Sequence, residues 1–283
     1  MEEQGMADSG GGSLWARYKR ADSTLIAFSL IGSTLVILSF LALATITLTQ
    51  LADLPFLIKV ATDTRVINSI LLTFGAGLTV VFILLLFGTP LAYVLARTHS
   101  RVNSLVEALI DIPLVLPHTV AGIMVYLLFM QRGLLGAPFK EIGIVFEDAF
   151  PGIVVAMLFV SIPFYVNTVR EGFQKVPVHI ENVARTLGAT RFRAFILIVL
   201  PLSARQILNG SVLAWGRAIS EFAAVIMIAY YPMIVSTLIY YRFTTGGLRE
   251  SSAIAFLMIL ASFSIFLVLR IATRYLGRYD DRV

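Results

Sequence analysis

Apolar residues along this 283-residue chain gather into six long runs separated by short polar stretches. The runs are Thr24 to Thr49, Ile67 to Ala96, Ala108 to Met130, Pro151 to Val169, a segment after Pro201 that is most apolar from Val212 to Ala229, and Ser252 to Ile271. A helix needs about 20 mainly apolar residues to cross a bilayer, and each run is of that order. Spanning β-strands would be shorter and would alternate apolar with polar residues, which these do not. Lipid offers the backbone no hydrogen-bond partner, so each run is predicted to be helical. Gly88-Thr89-Pro90 interrupts the second run, Pro113 and Pro117 lie in the third, and Pro163 in the fourth. The expectation is an all-α integral membrane protein with six transmembrane helices over 24–276. A Gly/Ser-rich tail over 1–23, expected to be mobile, precedes them, and a short tail over 277–283 follows. The first run, about 26 residues long, exceeds the apolar core of a cleaved signal and is read as a retained span.

Composition removes most soluble readings. The chain is 58% hydrophobic and 14% charged, against roughly 45–50% and about 25% in ordinary globular domains. It has no cysteine, hence no disulfide framework, thiol nucleophile or thiolate metal site. His99, His118 and His179 are scattered without metal-ligand spacing, so no metal is expected. No GxxxxGK[ST] phosphate loop is present. The longest stretch between runs, Arg170 to Leu200, is too short for an enzyme domain. A transport pathway, a membrane-embedded enzyme or a structural subunit remain, and the enzyme lacks clustered catalytic groups. Fifteen Lys and Arg residues fall on the side of both termini. Six fall opposite: Lys59, Arg65, Arg132, Lys140, Arg242 and Arg249. That bias places both termini in the cytoplasm. It also makes the net charge of +5 an orientation signal rather than the mark of an anionic partner.

The Arg170–Leu200 loop reads as an amphipathic helix, a turn and a second helix entering the membrane at Pro201. Val178, Val183, Ala184 and Leu187 are expected on one side with Glu181 and Arg185 on the other, and Gly188 supplies the break. Such a segment is either a connector lying on the membrane or a docking helix for a cytoplasmic partner. The run from Glu181 to Gly188, followed by Ile198-Val199-Leu200-Pro201, resembles the EAA signature of ABC importer permeases in its Gly-to-Ile and Leu-Pro spacings. It departs at Asn182 and Val183, and its carboxylate, Glu181, stands one position early. Ile110 to Gly122, Trp215 to Val225 and Ile228 to Pro232 are similar to the molybdate/tungstate branch of these permeases, especially its archaeal-type members. The resemblance extends from about Thr24 to Arg274.

The resemblance implies a type I ABC importer permease, a transport subunit rather than an enzyme, in the cell membrane. Two copies would form a homodimer lining one pathway. Two cytoplasmic ABC ATPase subunits would bind ATP and Mg, so no cofactor is expected in this chain. An extracytoplasmic oxyanion-binding protein would deliver substrate, and nucleic acid is no partner. Glu181, Ala184, Arg185, Gly188 and Pro201 are the expected ATPase-coupling residues. A sulfate/thiosulfate permease is the near alternative. An ion-driven secondary transporter is the distant one, since no matched pair of broken spans is evident in the sequence.

Ionisable residues inside spans are costly and face protein or water. Asp111 lies near the inner end of the third run, and Arg217 and Glu221 lie in the fifth. The last two stand four residues apart on one helical face. They form either a pair that orients the helix or, with Ser220, a polar stripe on the pathway. Gly210, Ala214 and Ala218 make a small-residue ridge suited to close helix packing. Pro113 and Pro117, with His118 and Thr119 immediately after, mark a gate or an ordinary proline kink. In the loops opposite the termini, Lys140, Glu147, Asp148, Arg242 and Arg249 are candidates for docking the delivery protein, while the tyrosines around 230–241 suit the membrane interface.

Overall fold

The computed structural model describes residues 11–50, 53–98 and 100–277. The tails over 1–10 and 278–283, and His99, lie outside the described residues. In order, the helices are α1 (Gly11–Thr49), α2 (Leu54–Ala61), α3 (Thr64–Ile83), α4 (Thr89–Arg97), α5 (Arg101–Val115), α6 (His118–Phe129), α7 (Gly136–Glu141) and α8 (Phe150–Lys175). They continue as α9 (Val178–Thr186), α10 (Arg191–Ala194), α11 (Leu200–Leu202), α12 (Ala204–Ile219), α13 (Ala223–Ile228), α14 (Val235–Gly246) and α15 (Leu248–Gly277). Among the described residues, four helical segments are long and apolar enough to cross a membrane, or up to six if each of two bent pairs counts as one span. The first helix begins at Gly11, inside the stretch expected to be a tail.

Local chemistry sets the boundaries. Asp63 caps α3 by accepting from the Arg65 N–H at 2.8 Å, and Ser100 caps α5 by accepting from Asn103. Two π-helical turns, Leu84–Gly88 and Phe195–Val199, each sit just ahead of a proline, Pro90 or Pro201. Proline lacks the N–H for an i→i−4 bond and its ring crowds the preceding turn. One extra residue per turn makes room: the Thr89 N–H reaches Leu84 O and the Leu200 N–H reaches Phe195 O, five residues back.

In lipid, helices gain nothing by hiding apolar surface from one another, so association rests on close packing. α8 is the central helix, burying Ile153, Met157, Val160, Tyr165, Val169 and Phe173. Gly210, Ala214 and Ala218 are all buried, and at Gly210 α12 comes up against Val169 and the Tyr165 carbonyl of α8. The ridge expected from the sequence therefore packs inside this chain. α3 meets α12 at Gly77, where a Cβ would lie 2.8 Å from the Ile219 side chain and 3.1 Å from Trp215. α1 packs on α15 alone among the larger contacts, and its apolar side chains from Phe28 to Ile46 are exposed. Apolar exposure on that scale belongs against lipid or another chain.

The third and fifth runs are not single straight spans. α5 and α6 meet at 118° across Leu116-Pro117, while Pro113 sits within α5 without ending it. Arg191–Leu202 and Ala204–Ile219 form a second bent pair, with a bend of 71°. By length and composition that pair is a broken span or a re-entrant segment, and its first arm is the second helix of the 170–200 loop, running through Pro201. The helix stops at Ser220, so Glu221 lies in an unwound break before α13. Among the described residues there are thus two bent pairs, which the sequence did not show. Tyr231 to Ser251, part of the polar stretch between the fifth and sixth runs that the sequence reads as a loop, contains α14.

α6 packs closely against α13, the short helix after the break that follows α12. A Cβ on Gly122 would lie 2.8 Å from Ala224 Cα and 2.9 Å from its carbonyl oxygen, both backbone atoms that cannot swing aside. Gly122→Val is therefore expected to destabilise the fold by about 1–3 kcal/mol. A thermal melt of the purified protein that matches the unsubstituted chain would contradict this.

Candidate gate and coupling surface

The elbow at Pro117 and the break after α12 bring together polar residues far apart in sequence. His118 begins α6 directly after the Pro117 elbow, and Glu221 occupies the break between α12 and α13. Arg217 Nη2 donates to Glu221 Oε2 at 2.5 Å and approaches His118 Nδ1 at 2.9 Å. His118 Nδ1 lies 3.4 Å from the same carboxylate oxygen. The other oxygen, Oε1, accepts from the Ala224 N–H at 2.8 Å, and the Glu221 carbonyl accepts from Ser236 Oγ at 3.0 Å. Glu221 thus neutralises a cation, caps the start of α13 and joins this break to α14. Its side chain is only 2% exposed, whereas that of His118 is 47% exposed. Ser220 Oγ donates to Arg217 O and accepts from Arg217 Nη1 at 3.2 Å. Thr119 is exposed beside His118. The cluster therefore has a buried, charge-balanced root and an open polar rim. Asp111 lies elsewhere: it accepts from Asn167 Nδ2 at 2.7 Å, and with the Arg170–Glu107 pair it ties α5 to α8.

α9 starts after Pro177 and ends at Gly188, whose φ of +93° favours glycine. The Gly188 N–H donates to Arg185 O and the Ala189 N–H to Ala184 O, closing the helix as its sequence suggested. The sides divide differently from the expectation. Val178, Val183 and Leu187 point outward, at 53%, 55% and 84% exposure, together with Arg185, while Glu181 and Ala184 are buried. The physical reason is a set of donors on α4. Arg97 donates to Glu181 Oε1 at 2.6 Å through Nε and 2.5 Å through Nη2, and Tyr93 donates its hydroxyl to Oε2 at 2.7 Å. Arg97 Nη2 also reaches Val176 O at 3.1 Å. A satisfied carboxylate can be buried, and among the described residues nothing covers the apolar ones. Pro201 is exposed behind the second π-turn.

Gly188→Pro would force φ to about −65° and delete the bond to Arg185 O. If α9 docks an ATPase subunit, as the resemblance implies, uptake per ATP hydrolysed by the full complex is expected to collapse in this variant. Normal coupling in that variant would show that the end of α9 is not mechanically required.

The charges named for docking at the opposite end are largely committed within the chain. Lys140 donates to Gln131 Oε1, Glu147 accepts from the Gln131 N–H, and Asp148 accepts from the N–H groups of Tyr230 and Tyr231. Arg242 pairs with Glu250 at 3.0 Å and Asp63 at 3.4 Å, and Arg249 with Asp53 at 2.8 Å. A cavity of about 490 Å³ opens there among Arg65, Asn68, Tyr231, Tyr241 and Arg242. Tyr93, Arg97 and Asn167 were not singled out by the sequence. Arg97 counted there only towards orientation, and no local pattern marks it as a partner of Glu181.

Comparison with known proteins gives this geometry its context. Residues 88–279 match the family described as binding-protein-dependent transport system inner membrane component. The molybdate/tungstate transport system permease protein of Thermococcus kodakarensis is 42% identical over 251 residues, 89% of this chain and 96% of the relative. A sulfate transport system permease protein of Synechocystis is more distant, 29% identical over 79% of each chain. Among solved structures, a bacterial alginate ABC transporter in complex with an alginate pentasaccharide-bound periplasmic protein has a subunit that superposes with a TM-score of 0.67. The match covers 95% of this chain and 99% of that one at 21% identity, a likeness of fold. The chain belongs to the family of binding-protein-dependent transport system inner membrane components, a multi-pass membrane protein that groups within it with the molybdate/tungstate permeases.

Proposed function

We propose that this chain is the membrane-spanning subunit of an ATP-binding-cassette importer that carries molybdate or tungstate into the cell. The observation that carries the proposal is the 42% identity to a molybdate/tungstate permease over 89% of the chain. The outward apolar face of α9 supports it from the structure, because such a face needs a partner. Both termini and α9 lie in the cytoplasm, in keeping with the excess of basic residues on that side. Two copies pair around one pathway, with the rim of His118, Thr119 and Ser220 facing it. Pro113 and Pro117 shape that gate, and Arg217 and Glu221 brace it. Two ATPase subunits, which hold ATP and Mg, grip α9 of each copy through Val183, Arg185 and Leu187. An extracytoplasmic binding protein docks at the far end, near Lys140, Glu147, Asp148, Arg242 and Arg249, and releases the oxyanion.

The gate holds no surplus positive charge, since Glu221 cancels Arg217. That suits passage, which requires substrate to be held weakly. The test is competition in proteoliposomes containing permease, ATPase and binding protein. Uptake of labelled tungstate is expected to fall with added molybdate and to persist with equimolar sulfate. Equal competition by sulfate would replace this reading with that of a sulfate permease.

A further inference from the structure

We infer that Tyr93, Arg97 and Glu181 form the joint through which movement of α9 reaches the membrane-spanning helices; this rests on the importer reading above. Glu181 makes three bonds, all to α4: two from Arg97 and one from Tyr93. Its partners are drawn from the last turn and a half of a helix that continues a span, Thr64–Arg97. The contact is apolar as well as ionic. The Tyr93 ring lies 4.5 Å from Phe195 and 5.7 Å from Phe173, centre to centre, so α8, the second π-turn and α9 all converge on one side chain. The Arg97 bond to Val176 O adds the link between α8 and α9. An ATPase subunit pulling on the outer face of α9 therefore pulls on α4.

From α4 a packed route leads to the gate. α4 continues through the π-turn Leu84–Gly88 into α3, and the turn is held by Thr89 Oγ1 against Tyr165 Oη at 2.7 Å. α3 bears on Trp215 and Ile219 of α12 at Gly77. Those two residues flank Arg217, which is paired with Glu221. Contiguous packing of this kind is a route along which two sites can be coupled, and only a coupling measurement establishes it. Glu181 is thereby a positioning residue acting on the transporter's own helices and not a contact to the ATPase.

The test uses the full complex in proteoliposomes and reads three quantities: ATPase subunit retained, ATP hydrolysed and anion taken up. Arg97→Gln and Glu181→Gln are expected to retain the ATPase subunit and its hydrolysis while uptake falls about tenfold, so that ATP consumed per anion rises by the same factor. Tyr93→Phe, which removes one bond and keeps the ring, should fall between. The exchanged pair, Arg97→Glu with Glu181→Arg, should recover part of the lost uptake, because it restores the ion pair but not the bond to Val176 O. Unchanged uptake per ATP in Arg97→Gln overturns the inference. So does loss of ATPase binding in the single variants without recovery in the exchange, which would make the pair a scaffold for docking. If the unsubstituted complex shows no ATP-dependent uptake, the importer reading itself fails, and that outcome is distinct from both.

Discussion

Glu221→Ala is expected to abolish uptake and to destabilise the protein by about 3–5 kcal/mol, the scale for removing one partner of a buried ion pair. The carboxylate is 2% exposed and meets Arg217, His118 and the Ala224 N–H. Alanine would leave the Arg217 guanidinium without a counter-charge and the start of α13 without a cap. Replacing Arg217 and Glu221 together by methionine removes the stranded charge, so much of the stability should return. Uptake should not return, because the break between α12 and α13 still loses its brace. Thermal unfolding in detergent and uptake in proteoliposomes separate the two effects. A Glu221→Ala protein that melts and transports normally would show that the cluster is incidental.

Leu187→Glu is expected to leave folding intact and to cost ATPase binding. At 84% exposure Leu187 has little to lose within this chain, and surface changes of that kind stay within about 0.5 kcal/mol. In a docked complex the same residue would be enclosed, and a buried unpaired carboxylate there costs about 2 kcal/mol or more, roughly a thirtyfold loss of affinity. Val183→Glu, on the same outward face, should act in the same direction. Co-purification of the ATPase subunit with the permease, set beside the melting temperature of the permease alone, provides the measurement. Retention of the ATPase at normal stoichiometry by Leu187→Glu with Val183→Glu would place the docking surface elsewhere.

The apolar runs were legible because a bilayer demands about 20 apolar residues per crossing, and a run can be counted without knowing the fold. What a run conceals is whether it is straight. Pro117 ends a helix where Pro113, four residues earlier, is accommodated inside one, and nothing local separates them. The break after Ser220 carries neither proline nor glycine. It is held by Glu221, whose bonds to His118 and Ser236 come from other elements. The pairing of Arg217 with Glu221 was readable from a spacing of four residues. The arrival of His118, 99 positions away from Arg217, was not. The division of α9 into sides differed for the same reason. Periodicity grouped Glu181 with Arg185, and Glu181 faces inward apart from it because Tyr93 and Arg97, 88 and 84 positions away, supply its donors. Gly188 behaved as expected because a positive φ at a helix end is a purely local demand.

The most direct test of the importer reading is uptake of tungstate by proteoliposomes with each component withheld in turn. Uptake is expected only when permease, ATPase subunit, loaded binding protein and internal or external ATP on the α9 side are all present, and proton or sodium gradients should have no effect. Uptake that persists without the ATPase subunit and follows an imposed ion gradient would contradict it and identify the chain as a secondary transporter.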